Sequence, residues 1–582
     1  MLGFTASRAQ IATYLFGVAL FSISFLVFLN SSISFVITQR IRQSHHVGDA
    51  VGTLGFADEL VALVACPAWG VVSDRIGVRS VAVMGYVVVG VSLWVFVQAG
   101  NVYPQLLLAR MLFSLGATAT ATMVTAILPT MTFVKPVIGP RSPTRGINGP
   151  SHTMAPSISS ELTITPARFQ SRSPTIVPRE ARKDNSIATS HLSGLVGMFT
   201  GCGALVALLI FLPLPTQFQK AGTSAAAAIA DAYYVVGAIA LLVAIACFFG
   251  LRNLPGEEAK GPRRFFNRKS EKGSEDSDST PRLHSYPRLL WSSIQLGFRS
   301  QNIGLGYLGG FVARASSVAI SLYIPLFTNT YFLRTGLCST NPDDPSDIKH
   351  ACPRAYALAA ALTGVSQLVA LMGAPLFGYL AGRYRRFNIP LMAAALVGVV
   401  GYTAFGLLPS PDPKSDDGTG AIFLIVALLG VSQIGAIVCS LGLLAWAITE
   451  SEDEDEEERR GLDWTFPPPS GERTPRTSLP GTPVDEEEPL LRHTVISRPE
   501  SSLDSKSLAH LRGSIAGTYS LAGGAGILIL TKAGGALFDS SGPGSPFYMM
   551  AAFNGLLFIT TLGIAVREMV SGWGREEHNL LE

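Results

Sequence analysis

The chain has 582 residues, of which 48% are hydrophobic and only 15% charged, with a mean hydropathy of +0.36. Soluble domains carry about 25% charged residues, so this composition excludes an ordinary water-soluble fold. The formal net charge of +3 gives no reason to expect a nucleic-acid partner.

Apolar runs of roughly 20 residues are long enough to cross a ~30 Å hydrocarbon core. Twelve occur here. The first six are Ile11 to Val36, Val51 to Val72, Ser80 to Val97, Tyr103 to Thr130, Leu192 to Leu212 and Ala230 to Leu251. The second six are Gly304 to Phe327, Tyr356 to Leu380, Asn388 to Leu408, Ala421 to Ile448, Ser514 to Leu537 and Pro546 to Val566. The first run is too long for a cleavable signal and lacks a small-residue cleavage site, so it is expected to remain as a membrane helix.

Lys and Arg collect on one side of these spans. The segment from Thr132 to Ser190 holds Lys135, Arg141, Arg145, Arg168, Arg172, Arg179, Arg182 and Lys183, and that from Arg252 to Arg299 holds ten more basic residues. The alternate loops are poorer, so both termini are expected in the cytoplasm.

Between the second and third runs stands Gly70-Val-Val-Ser-Asp74-Arg75-Ile-Gly77-Val-Arg79, the pattern G-x-x-x-D-R-x-G-x-R. Gly70 lets helices approach closely and Gly77 permits a tight turn, while Asp74 at a helix end can pair with arginines or cap a neighbouring N-terminus. Such a cluster can lock one side of a protein that opens and closes; the plainer alternative is a charged turn between two helices. The pattern resembles the loop signature between the second and third helices of the major facilitator superfamily of secondary transporters. That resemblance implies an all-α integral membrane fold, with twelve transmembrane helices in two six-helix bundles and the substrate at the midplane between them.

A partial echo follows the eighth run: Gly378-Tyr-Leu-Ala-Gly382-Arg383-Tyr-Arg385-Arg386, with Gly382 where Asp74 stands. The expected gate therefore comprises Gly70, Asp74, Arg75, Gly77 and Arg79 with Gly378, Arg383, Arg385 and Arg386, and Asp74 is its only acid. The expected division is an N-terminal bundle over residues 1–251, a linker over 252–299, a C-terminal bundle over 300–567 and a tail over 568–582. Within it, residues 133–190 are rich in Ser, Pro, Thr and Arg, and residues 450–510 include the acidic run Glu452 to Glu458 and Pro-rich Phe466 to Ser470. Residues 253–285 are mixed-charge and polar. None of these three segments has the apolar content to offset chain entropy, so all are expected to be disordered cytoplasmic tethers.

Glu486 with Leu490 and Leu491, and Glu576 with Leu580 and Leu581, both fit E-x-x-x-L-L. This looks like the acidic dileucine signal read by vesicle adaptors. It favours a vacuolar or lysosomal membrane, with the plasma membrane as alternative. Of the six cysteines, Cys66, Cys202, Cys247 and Cys439 lie in spans and read as packing residues. Cys338 and Cys352 flank the loop between the seventh and eighth spans on the non-cytoplasmic, oxidising side, where a disulfide is expected. No spacing suggests a metal or cofactor site, no catalytic constellation occurs, and no GxxxxGK[ST] marks an ATP-driven pump.

Charges inside hydrocarbon are costly and so point to function. Arg314 stands about ten residues into the seventh span, ~15 Å by helical rise and near midplane. It could hold an anionic group of a substrate or counter a proton-carrying acid; a packing role is the alternative. Arg110 opens Arg110-Met-Leu-Phe-Ser114-Leu-Gly116, which partly resembles the family's R-x-x-Q-G-x-G pattern linked to proton coupling, with Phe113 and Ser114 departing from it. Asp58 and Glu59 lie about 24 Å along their helix from Asp74, at a depth matching Arg110, so one of them is expected to pair with it; an acid in a wet vestibule at the non-cytoplasmic end is the alternative. Gln367, Gln433 and Asn30 could bind a substrate or bridge helices.

The fifth span holds Gly194, Gly197, Gly201 and Gly203 but no Pro before Pro213, which departs from the Gly-Pro-rich fifth helix of some antiporters. Sugar-porter signatures in the sixth and twelfth spans are absent too. The expectation is therefore a monomeric, non-enzymatic carrier that moves a small, anionic or carboxylate-bearing solute by alternating access, coupled to protons. The alternatives are a drug or metabolite exporter and a transport-inactive nutrient sensor with the same fold.

Overall fold

The computed structural model describes residues 6–43, 47–132, 179–254, 286–336, 353–384, 388–415, 418–463 and 511–581. Twelve helices in these residues are long and apolar enough to cross a membrane. They are Arg8–Arg40, Ala50–Ile76, Val78–Phe96, Val102–Met131, Ala188–Lys220 and Ala225–Gly250, then Gln301–Arg334, Ala357–Arg383, Ile389–Gly406, Ala421–Thr449, Arg512–Ser541 and Ser545–Val570. All twelve expected runs fall on these helices, which extend several residues further in places. A backbone that leaves water must satisfy its own N–H and C=O groups, and helices do so internally.

Two apolar cores form, one centred on the N-terminal half and continuing across the seam to Leu444, Ile515 and Tyr519, the other within the C-terminal half. Phe25, Phe28, Tyr86, Phe96 and Tyr233 fill the first, and Tyr323, Phe327, Tyr402, Phe405 and Phe547 the second. Helix irregularities recur at matching places in the two halves. Pro67 lies inside the second span and Pro375 inside the eighth, each seven residues before the Asp74 or Gly382 position of the repeated motif. Widened π-type turns occupy Ala207–Phe211 in the fifth span and Leu530–Gly534 in the eleventh, and also Thr13–Ala19 in the first and Ala319–Tyr323 in the seventh. Carbonyls at two of these turns are taken up by tyrosine hydroxyls. Tyr86 donates to Gly17 and Val18 O at 3.1 and 2.9 Å, and Tyr323 to Leu530 and Thr531 O at 3.0 and 3.2 Å.

Two segments differ from the sequence expectation, and two further helical stretches lie outside the expected spans. Helical backbone begins at Arg179, inside the insertion expected to be disordered to residue 190, and runs on into the fifth span. Its first turns, Arg179-Glu-Ala-Arg-Lys-Asp, carry too few apolar residues to display a helical stripe. The tenth span likewise continues as helix through the acidic run to Asp463. A helix at Tyr286–Arg299 lies within the expected linker, separated from the seventh span by Ser300 alone. The last helix reaches Leu581, so Glu576, Leu580 and Leu581 lie on helical backbone. Glu486, Leu490, Leu491, Cys338, Cys352, Arg385 and Arg386 fall outside the described residues.

Candidate transport pathway and gate

The halves meet most closely at the end that holds Asp74. The second span packs along the eleventh, and the fifth along the eighth. At both crossings glycine faces glycine. A Cβ on Gly70 would stand 2.9 Å from Gly517 Cα, and one on Gly378 would stand 2.7 Å from Gly194 Cα. Real Cβ atoms do not approach backbone so closely, so each site needs a residue without a side chain. The two motif glycines thus hold equivalent positions in the two halves, each against the opposite bundle.

Asp74 caps the eleventh span. Its Oδ1 accepts from Gly513 N at 2.6 Å, and Oδ2 accepts from Ser514 N at 2.7 Å and Ser514 Oγ at 2.6 Å. The carboxylate meets N–H groups at the positive end of a helix dipole, the second of the two roles the sequence left open. Gly77 has φ of 92° and turns the chain into the third span. Arg79 lies elsewhere, its Cζ 4.4 Å from the Phe248 ring centroid on the sixth span of the same half. Arg383 is exposed at the end of the eighth span.

Deeper in the N-terminal half, Arg110 Nη2 contacts Asp58 Oδ2 at 2.5 Å and donates to Asn30 Oδ1 at 2.6 Å. Three spans contribute, the fourth, second and first. Arg110 is 2% exposed and Asp58 8%. Ser114 Oγ donates to Asp58 O at 2.9 Å, so the residue standing in place of the family's glycine fastens the acid's backbone. Arg110 Nε and Nη1 are buried with no hydrogen-bond partner among the described residues. Asp58, not Glu59, is the direct partner, as expected when neighbouring helical residues point about 100° apart.

Glu59 is half-buried beside this pair, within the fields of Asp58, Arg314 and Arg110. Arg314 belongs to the other half and is exposed at the middle of its span, its Cγ against Gly523 of the eleventh span. Its charge also reaches Cys66 and Tyr519. These neighbours place the guanidinium on the side of the seventh span that faces the opposite bundle. Gln433 and Gln367 do bridge helices: Gln433 Nε2 donates to Ser317 Oγ at 2.9 Å, and Gln367 Nε2 donates to Gln433 Oε1 at 3.4 Å.

One intramembrane charge escaped the sequence reading. Lys532 stands in the eleventh span with its Nζ 4.2 Å from the ring centroid of Phe56 on the second. It joins the halves about one helical turn beyond Glu59, away from Asp74. A lysine inside a span was itself the available signal.

Twelve spans, a duplicated glycine crossing and charged groups facing the seam between bundles define a two-bundle membrane carrier. The profile of the Major Facilitator Superfamily matches residues 20–132 and 172–451, and the chain belongs to that superfamily. Its members are transporters, and this chain is an integral membrane transport protein. No curated protein matches the sequence. Among solved structures, the fold is similar to a Major Facilitator Superfamily transporter, FucP, in the outward conformation, with a TM-score of 0.54, 11% identity and coverage of 95% of this chain and 99% of that one. It is also similar to a bacterial homologue of the iron transporter ferroportin in an outward-facing state, with a TM-score of 0.53, 12% identity and coverage of 96% and 99%. A single-residue variant of the E. coli fucose:proton symporter gives 0.51 at 12% identity, covering 95% and 98%.

Proposed function

We propose that the protein carries a small solute bearing an anionic or carboxylate group, by alternating access coupled to protons. The observation that carries this reading is the buried Asp58–Arg110 pair, with Arg314 of the opposite half exposed at the middle of its span. A buried ion pair is sensitive to loss of either charge, because the remaining partner is left uncompensated. Protonation of Asp58 would release Arg110 from its acid, and Asn30 would retain one of its hydrogen bonds. Arg314, exposed at midplane, offers a planar donor set that suits a carboxylate.

The basic residues of the loops support a cytoplasmic position for the Asp74 end and both termini. In this arrangement the Asp74–Ser514 contact is the cytoplasmic gate, and the contacts at that end match an outward-facing carrier. The dileucine sequences support delivery by vesicle adaptors to a vacuolar or lysosomal membrane, and the two-bundle chain is read as working as a monomer.

Uptake into proteoliposomes, with and without an imposed pH gradient, tests the proposal against a panel of carboxylates and neutral analogues. Gradient-driven uptake of a carboxylate, abolished in Asp58→Asn and reduced in Glu59→Gln, is the expected result. Uptake indifferent to the gradient, with both variants at the native rate, overturns proton coupling.

A further inference from the structure

Arg79 is part of the motif but not of the Asp74 cap. It sits in the first turn of the third span, with its guanidinium over Phe248. Its Nε is buried with no hydrogen-bond partner among the described residues. Arg252 is exposed just past the end of the sixth span, four residues beyond Phe248. Arg252 is held in place by its backbone: Gln10 Nε2 donates to the carbonyls of Arg252 at 2.8 Å and Asn253 at 3.2 Å. Arg79 and Arg252 thus share one edge of the N-terminal bundle, Arg79 over Phe248 and Arg252 four residues further along. No described carboxylate lies within ion-pair distance of either.

Like charges converge at a cost unless an anion sits between them. Both arginines stand where their spans end, the depth at which lipid phosphates lie. An exposed apolar surface runs inward from them, formed by Met84, Val87 and Val91 on the third span and by Ile245, Phe248 and Phe249 on the sixth. It continues directly into the lipid-facing sides of these two helices. A phosphate held by two planar forks, with a hydrocarbon tail along that surface, satisfies both halves of the site.

We propose that Arg79 and Arg252 bind the phosphate of an anionic phospholipid, and that its acyl chain lies along the third and sixth spans. This inference is independent of which solute is carried. The site is a lipid site on the flank of the bundle, separate from the seam between the halves.

The full chain, purified into phosphatidylcholine nanodiscs, would be titrated with a fluorescent phosphatidylglycerol and with the matching phosphatidylcholine probe. A basic residue near an anionic membrane surface is worth about fivefold in affinity. Arg79→Gln/Arg252→Gln is therefore expected to weaken phosphatidylglycerol binding roughly 25-fold, leaving phosphatidylcholine binding unchanged, while Arg79→Lys/Arg252→Lys retains most of it. Arg252→Gln alone, past the end of its helix, should show about the single-residue loss and covers the case in which the double variant fails to fold. Equal binding of the two probes to the native protein, or native phosphatidylglycerol binding by Arg252→Gln, overturns the proposal. Competition by inorganic phosphate at concentrations that leave bulk membrane charge unscreened would reassign the site to a free anion and overturn the lipid assignment.

Discussion

Asp74 and Ser514 are 440 residues apart and belong to opposite bundles, yet one carboxylate oxygen accepts both the backbone N–H and the hydroxyl of Ser514. The other oxygen takes the N–H of Gly513. This end of the seam is therefore held by a charge placed on a helix N-terminus, and its opening requires three hydrogen bonds to part together.

Asp74→Asn keeps the shape but removes the charge. A hydrogen bond to a charged group is worth about 1.5–3 kcal/mol, so the population open at this end should rise about ten- to a hundredfold. Labelling of a cysteine placed at buried Ser193, in a background freed of native cysteines, reads this directly. Unchanged labelling in Asp74→Asn would count against the latch.

Gly70→Ala and Gly378→Ala act by a different route. Each adds a methyl into backbone of the opposite bundle. Both should hold the seam apart at the Asp74 end, raise Ser193→Cys labelling and slow transport, with expression retained. Native labelling and transport in both would show that the glycine crossings can yield without consequence.

The Asp58–Arg110 pair makes a prediction about stability as well as transport. Asp58→Asn leaves a buried guanidinium without its acid, at a cost of about 3–5 kcal/mol, which should lower the melting temperature. Asp58→Asn/Arg110→Gln should melt closer to the native protein than Asp58→Asn does, yet remain without gradient-driven uptake. If the losses of the two single variants simply add, the residues are not coupled.

Arg314→Gln should raise the KM for an anionic solute about tenfold or more, because the loss falls on a hydrogen bond to a charged group. Arg314→Lys should recover part of the affinity but not the geometry of a planar fork. An unaltered KM in Arg314→Gln would remove this residue from solute binding.

Lys532→Met tests the far side of the seam. An exposed cation–π contact contributes about 0.5–1 kcal/mol, which corresponds to a two- to fivefold shift towards opening at the end away from Asp74. Phe56→Leu should give the same shift, and the two changes together no more than either alone. Additive effects on labelling at that end would mean that the residues act separately.

Much of the architecture was legible in the residues. A membrane span must be apolar along about 20 positions, and this signal survives any uncertainty in its ends. Glu59 and Asp58 were found because acids are rare at that depth, and their match in depth to Arg110 pointed to a pair. The choice between them depended on which helix face turns inward, which the run of residues around them does not fix. The partners of Asp74 were not legible either, since Gly513 and Ser514 carry no motif of their own and their role comes only from being a helix N-terminus. Helical backbone at Arg179 and in the acidic stretch before Asp463 was missed for the opposite reason. Both are polar extensions of spans, and periodicity marks a helix only where one face is buried.

The helix at Tyr286–Arg299 gives the chain between the bundles a mechanical meaning. Ser293 Oγ shares a hydrogen bond with Thr518 Oγ1 at 3.0 Å, and Thr518 in turn donates to the carbonyl of Ser514 at 2.9 Å. Tyr307 OH donates to Ser293 O at 3.2 Å, anchoring the same helix to the seventh span. A break in the polypeptide before Tyr286 would leave this brace with the second fragment, already attached to the helix end that Asp74 grips. Two separately synthesised halves would still share the Asp74 grip and this brace, so neither contact depends on the covalent link.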